Sequence, residues 1–313
     1  MTKKIYAVIA LLAIHLGAEP ARADLVYQGK HYPDRTHLYY QFTWLTPIQS
    51  GGSCHVFSTS GLFEAACFRE TGKHVNISEA ALFYAWLRPA ILAGKLSYLK
   101  SGGGLITPWD AGDPATDFKN LNGGMVASER EAPFADFVAK LRQALVAEGQ
   151  RRKSISEKLA HNQLSVDTAN ELLTRTIQAA PARVVAEMDG DLRARIPSGR
   201  VAADGTWMPH TADRGIQACV NRFTMHSRPY STSEALATLA AQQPFLCSAY
   251  VDFGSRRLTE AFIPGGRHAT LVIGYRKNPR FRDGIEYLVR DSNSFLPEWG
   301  WNVEQCDSVM TID

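Results

Sequence analysis

The spacing of the apolar residues changes along this chain, and that change constrains the fold more than any other feature. Up to about residue 182 the apolar side chains recur at helical intervals, as in "CHVFSTSGLFEAACF" and "PFADFVAKLRQALVAEG". From about residue 215 the pattern turns to short β-branched or aromatic runs with turn residues between them: "IQACVNRF", "FLCSAYVDF", "HATLVIGYR" and "IEYLVRDS". One helix, "SEALATLAAQ", interrupts them. An α-rich N-terminal half followed by a β-rich C-terminal half predicts an α+β protein with two lobes and a cleft between them. A chain of 313 residues has the length for two packed lobes and a sizeable core.

Within the helical half, a buried helix is expected to begin at Cys54. A second, in "NISEAALFYAWL", has Ser78 as its N-cap. "SGGGLITPWDAGDP" reads as a glycine- and proline-rich loop, and "ATDFKNLNGG" as a short helix with a glycine stop. Residues 134–205 form a block of different character. Phe134, Val138, Leu141 and Leu145 keep helical spacing, Ser154 to Glu157 resembles a capping box, and "SVDTANELLTRTIQ" is a further helix. "DGDLRARIPSGRVAADGT" reads as loop. The domain reading is therefore a signal segment at 1–23, a mainly helical lobe at 24–133, a helical insertion at 134–205 and a β-rich lobe at 206–313.

The N-terminus has the layout of a secretory signal: Lys3 and Lys4, an apolar run, and "ARA" ending at Ala23. The run is short for a membrane span and stops at Pro20. The expected location is secreted or periplasmic, with no membrane association after cleavage. Formal net charge is +3, and nothing in that balance calls for nucleic acid. Export implies an oxidising compartment in which disulfides persist. The five cysteines are Cys54, Cys67, Cys219, Cys247 and Cys306, so at least one is unpaired. Two bridges and a free thiol form the simplest arrangement, with five free thiols as the other, and Cys54 has the context of the odd one out.

That context is "QSGGSCHVFS", a thiol at the end of a glycine-rich approach and at the start of a helix. The helix dipole there favours a thiolate. A nucleophilic cysteine needs a base, and His268, after two glycines at the start of a strand, is the candidate. Asn293 in "RDSNSFLPEWGW" is the candidate to orient the imidazole, and Asp291 in the same segment is the alternative. His55, beside the nucleophile on a helix, is expected to point away from it.

These residues resemble the papain-like cysteine peptidases. Gln49, Gly51, Gly52, Ser53 and Cys54 to Ser58 match that family's glutamine, glycines and Cys-Trp-Ala-Phe-Ser helix start, with His55 in place of the tryptophan. Ile77 to Leu82 match its Leu-Ser-Glu-Gln-x-Leu, and "HATLVIGY" matches its histidine strand. "NSFLPEWG" matches its Asn-Ser-Trp-Gly end, with Phe295 and Leu296 as departures. The interval from Cys54 to His268 exceeds the family's roughly 130–150 residues by about the length of the 134–205 block.

The resemblance implies a papain-like two-lobe fold with a β-barrel-like C-terminal lobe. It implies Cys54 as nucleophile, His268 as acid/base, Asn293 as orienting group and Gln49 as oxyanion-hole donor with the Cys54 N–H. Gly112 would hold the substrate backbone, with Gly103 and Gly104 competing, and Trp299 would pack near the site. The substrate would be a peptide or protein, with no metal and no cofactor. The short distance from the signal segment to Cys54 argues against an inhibitory pro-segment, and the insertion is expected to cover or shape the cleft. Two rival readings are a transglutaminase-like amide transfer with Asp291 as third member and a catalytically inactive binding protein on the same fold.

Overall fold

The computed structural model describes residues 25–42, 53–94, 97–98, 105–106, 112–252, 257–259, 267–281, 283–292, 297–301, 303 and 306–313. The signal-like segment 1–23, Gln49, Gly103, Gly104, Asn293 and Phe295 lie outside the described residues. Among those described, no helix is long and apolar enough to cross a membrane.

Helix α1 (Cys54–Thr71) starts at the singled-out cysteine, and every residue from Cys54 to Cys67 is buried. A helix with no solvent face over that length belongs in the middle of a protein. It ends at Gly72, whose left-handed φ of 67° lets its N–H reach the Phe68 carbonyl at 2.7 Å. Helix α2 (Ala80–Leu92) has Glu79 at the cap position rather than Ser78. The Ser78 hydroxyl still accepts the Ala80 N–H at 3.1 Å, one residue ahead of the expected place. Helix α3 (Pro114–Asn122) opens with Asp113 accepting the Ala115 N–H and proline at the first helical position.

Helices α4 (Phe134–Ala160) and α5 (Val166–Arg195) form a long hairpin. Two details differ from the sequence reading. Ser154 to Glu157 lie inside α4 and cap nothing, since the residues around them continue the helix; Ser156 bonds back to the Arg152 carbonyl at 3.3 Å. The stretch read as loop after residue 188 is helical to Arg195, where Arg195 holds Asp191 one turn back at 2.8 Å. The base of the hairpin docks on α2, where the Tyr84 hydroxyl donates to the Val185 carbonyl and to Asp189.

"IQACVNRF" is not a strand. Asp213 caps the Gly215 and Ile216 N–H groups, at 2.8 and 3.1 Å, and turns the chain into the one-turn helix α6 (Arg214–Gln217). Helix α7 (Thr232–Ala240) follows, capped by Ser231.

Four short two-stranded ribbons pair locally, among them Gly199–Val201 with Trp207–Pro209 in the stretch read as loop, and eight further strands form one antiparallel sheet. Its strands are β1 (Arg35–His37), β2 (Met225–Pro229), β3 (Phe245–Asp252), β4 (Arg257–Thr259), β5 (Arg267–Lys277), β6 (Ile285–Arg290), β7 (Glu298–Trp301) and β8 (Ser308–Ile312). The order is β2-β8-β3-β5-β6-β7, with β4 on β3 and β1 on β5. Among the described residues no pairing joins β2 to β7, so hydrogen bonds do not close the barrel there. Strand β1 belongs to this sheet although it precedes α1, so residues 24–133 are not a helical unit from end to end.

The architecture is α+β, with helices leading and one antiparallel sheet trailing. Helix α1 packs against β5, and that junction joins the two parts. Disulfides Cys67–Cys219 and Cys247–Cys306 use four of the five cysteines and leave Cys54 free. The first ties the buried helix to the segment after α6; the second lies within the sheet region.

Candidate active site

The site forms where the first residue of α1 meets the first turn of β5. Cys54 is buried at 5% exposure and His268 at 3%. The Ala269 N–H, next to His268, donates to the Cys54 sulfur at 3.4 Å. The thiol and the imidazole are hydrogen-bonded to each other. Residues 215 positions apart are thus brought together by the packing of α1 on β5.

His268 Nε2 bonds Asp291 Oδ1 at 2.7 Å. In the sequence reading Asn293 is the orienting group and Asp291 the alternative; Asn293 lies outside the described residues, and Asp291 contacts His268. Strand register explains it. Leu271 pairs with Arg290, so Asp291 falls opposite Thr270. Residues directly opposite share a face of the sheet, and so do residues two apart on one strand. His268, Thr270 and Asp291 therefore face one way, and Asp291 is the diagonal neighbour of His268. With Nε2 on the carboxylate, Nδ1 is the nitrogen left for the thiol.

The electrostatics favour a charge-separated pair. Burial pushes the Cys54 thiol up, but the His268 charge and hydrogen bond, the Ala269 N–H and the His55 charge together hold it below its ordinary value of 9.0. Burial pulls the His268 imidazole down, but Cys54 and Asp291 keep the proton on it and raise it to about 10. Both shifts favour the thiolate–imidazolium form of the pair over the neutral one.

Two groups missed in the sequence reading brace this arrangement. Arg290, the residue before Asp291, reaches across α1 to Glu64 at 3.5 Å, and both are buried. Its guanidinium lies over Gly61, where a Cβ would come within 2.3 Å of Nη1. Glu64 also accepts the Ile77 N–H at 3.0 Å. Burial pushes the Glu64 carboxyl up and does the same to Glu79 and Glu129, the last to about 7. A lone carboxylate in the apolar run "GLFEAACF" was the available signal, because a buried charge needs a partner. The second group is Asp117 of α3, bonded to His55 Nδ1 at 2.5 Å.

Gly112 lies beside this second pair. A Cβ there would stand 2.0–2.5 Å from three atoms of the His55 ring. Trp299 lies elsewhere. It pairs with Leu288, which pairs with Gly274, six residues and about 20 Å along β5 from His268. The guanidinium carbons of Arg276 and Arg35 lie over its ring, 4.4 and 5.4 Å from the centroid, and hold it toward β1. Among the described residues no cluster of metal-ligating side chains is present.

No protein-family model matches this chain, and no curated protein does. Solved structures similar to it include the following two. One is xylellain, a cysteine protease from Xylella fastidiosa, 13% identical over 95% of this chain and 93% of that one, with a TM-score of 0.45. The other belongs to work on antibody cross-reactivity between the mite allergens Blo t 1 and Der p 1. It is 15% identical over 96% of this chain and 77% of that one, with a TM-score of 0.40. Likeness at this level carries no functional argument.

Proposed function

We propose that this chain is an exported, papain-like thiol hydrolase that cleaves peptide bonds through a thioester on Cys54. The observation that carries the reading is the Cys54–His268–Asp291 chain of contacts at the start of a buried helix. The thiolate sulfur attacks the scissile carbonyl carbon, forming C–S and moving charge onto the carbonyl oxygen. As the C–N bond breaks, the His268 imidazolium gives its proton to the leaving amine. Water then attacks the thioester, its proton passes to His268, and the C–S bond breaks to return acid product and thiolate. Asp291 holds the ring orientation and its charge. The Cys54 N–H, at a helix start where no intrahelical acceptor exists, is available to the oxyanion. Gln49 is proposed as the second oxyanion donor, and Gly112 as a backbone contact for substrate.

Asp291 also favours a second reading. A carboxylate third member is what an amide-transfer enzyme would use, with an amine taking the place of water at the thioester. The two disulfides support secretion or a periplasmic location, since such bonds persist under oxidising conditions.

An epoxide thiol inhibitor separates the readings. The expected result is one adduct, located on Cys54 by peptide mass mapping, with parallel loss of hydrolysis of a denatured protein substrate. Incorporation of a labelled primary amine in preference to hydrolysis would support amide transfer. An inert Cys54 in folded protein would support a binding protein and end both enzymatic readings.

A further inference from the structure

His55 follows the nucleophile and is 1% exposed. Three elements close around its ring. From α3, Asp117 takes Nδ1, with its side chain 5% exposed. From α2, Trp86 meets the ring edge-on, with centroids 5.0 Å apart. Gly112, just before α3, lies against Cε1 and Nε2, so closely that only glycine leaves room for the imidazole. Nε2 is buried and has no hydrogen-bond partner among the described residues. This is costly chemistry to place next to a nucleophile if its only task is to fill space. An apolar ring would fill the same volume without burying a carboxylate on α3.

The molecule therefore carries two histidine–aspartate pairs around one thiol. His268 and Asp291 come from the sheet; His55 and Asp117 come from the helices. We propose that His55 and Asp117 are a positioning pair, which fixes the Cys54 turn of α1 against the Gly112 segment. The inference rests on the reading of Cys54 as nucleophile. Neither residue bonds to the sulfur, so they act through Cys54 and Gly112. The charge on His55 is one of the influences that favour the thiolate, behind those of His268 and Ala269. The titratable groups around the pair are Cys54 next to His55, Asp113 at the start of α3, and, across the thiol, His268 backed by Asp291 from the sheet.

The test reads the thiolate without using a peptide. The rate of Cys54 alkylation by iodoacetamide is followed from pH 4 to pH 10 in the full chain. His55→Phe keeps a ring against Trp86 and Gly112 but removes the bond to Asp117 and the charge. An opposite charge close by shifts a pKa by about one unit or more. The midpoint of alkylation in His55→Phe should therefore rise by about one pH unit, with rates near pH 6 falling about tenfold and rates near pH 10 converging with wild type.

Asp117→Asn, nearly isosteric, should move the midpoint the same way by less. It decides the matter if His55→Phe does not fold. With peptide substrate, KM should rise and kcat/KM should fall as the Gly112 segment loses its support. A midpoint identical in wild type and in the folded variants overturns the proposal, even if hydrolysis by wild type is normal. Midpoints that shift in a wild-type protein unable to hydrolyse peptides would leave the pair standing and remove the peptidase reading instead.

Discussion

The α1–β5 junction and the α4–α5 hairpin use the same kind of ion pair to opposite effect. In the hairpin, Arg175 and Glu171 approach to 2.5 Å, one helical turn apart, with side chains 72% and 61% exposed. At the junction, Arg290 and Glu64 are further apart, at 3.5 Å, but only 5% and 2% exposed. Distance alone would rank the hairpin pair as the stronger. Burial reverses the ranking, because solvent screens the first pair and leaves the second with nowhere else to put its charges. The junction pair also joins residues far apart in sequence, and it precedes the aspartate on His268. The hairpin pair joins residues already held by their own helix.

Removing the arginine would break the comparison hardest. Arg290→Met leaves Glu64 buried beside the equally buried Glu79, and should cost about 3–5 kcal/mol of stability at pH 7. Urea unfolding followed by fluorescence measures it. The sign with pH is fixed by the direction of the Glu64 shift. Its carboxyl is already raised above 4.5 in the folded state, and loss of the guanidinium raises it further. A raised carboxyl contributes stability at low pH that is lost as pH rises through its folded value. The deficit should therefore shrink in acid and grow toward neutrality. The double variant Arg290→Met, Glu64→Leu should recover much of the loss, since an apolar pair replaces a buried ionic one at little cost. A single variant as stable as wild type would mean that burial does not separate these pairs.

Within the junction, Asp291→Asn isolates the carboxylate charge on His268. The amide oxygen still accepts from His268 Nε2, but the carboxylate charge that helps hold the proton on the ring is gone. The imidazolium is needed to protonate the leaving amine, so activity falls on the alkaline side as that proton is lost, near pH 10 in the native site. In the variant this alkaline limb should move down by about one pH unit, a change of about 1.4 kcal/mol. The pH profile of kcat/KM checks it. An unmoved limb would assign the raised imidazole to Cys54 alone, against the downward pull of burial.

The sequence carried the parts of this arrangement that depend on local pattern. The helix at Cys54, the helix-to-strand change and the odd thiol were all legible, because periodicity and cysteine count need no partner. The group beside His268 was legible only as a choice of two, Asn293 or Asp291. Choosing between Asp291 and Asn293 required the register of β6 on β5, which is set by the Leu271 and Arg290 pairing and by no motif. Trp299 failed for a related reason: two arginines from separate strands claim its ring, and nothing near it in sequence announces them. The His55–Asp117 contact depends on how α3 lies against α1, so a helix face computed for either alone does not reveal it.

The hairpin side offers the smallest effect, and the most direct control. Glu171→Gln removes the charge from the Arg175 pair and leaves the helix-forming tendency almost unchanged. Exposed pairs at this spacing contribute a few tenths of a kcal/mol, and salt reduces that further. The unfolding midpoint should barely move in low salt and not at all at high ionic strength. Arg290→Met should keep most of its deficit in the same high salt, because ions do not reach a pair this deeply buried. The contrast in salt response is the stronger part of the prediction. It does not depend on either absolute value, and a deficit in Arg290→Met that faded with salt would place that pair in the same class as the hairpin's.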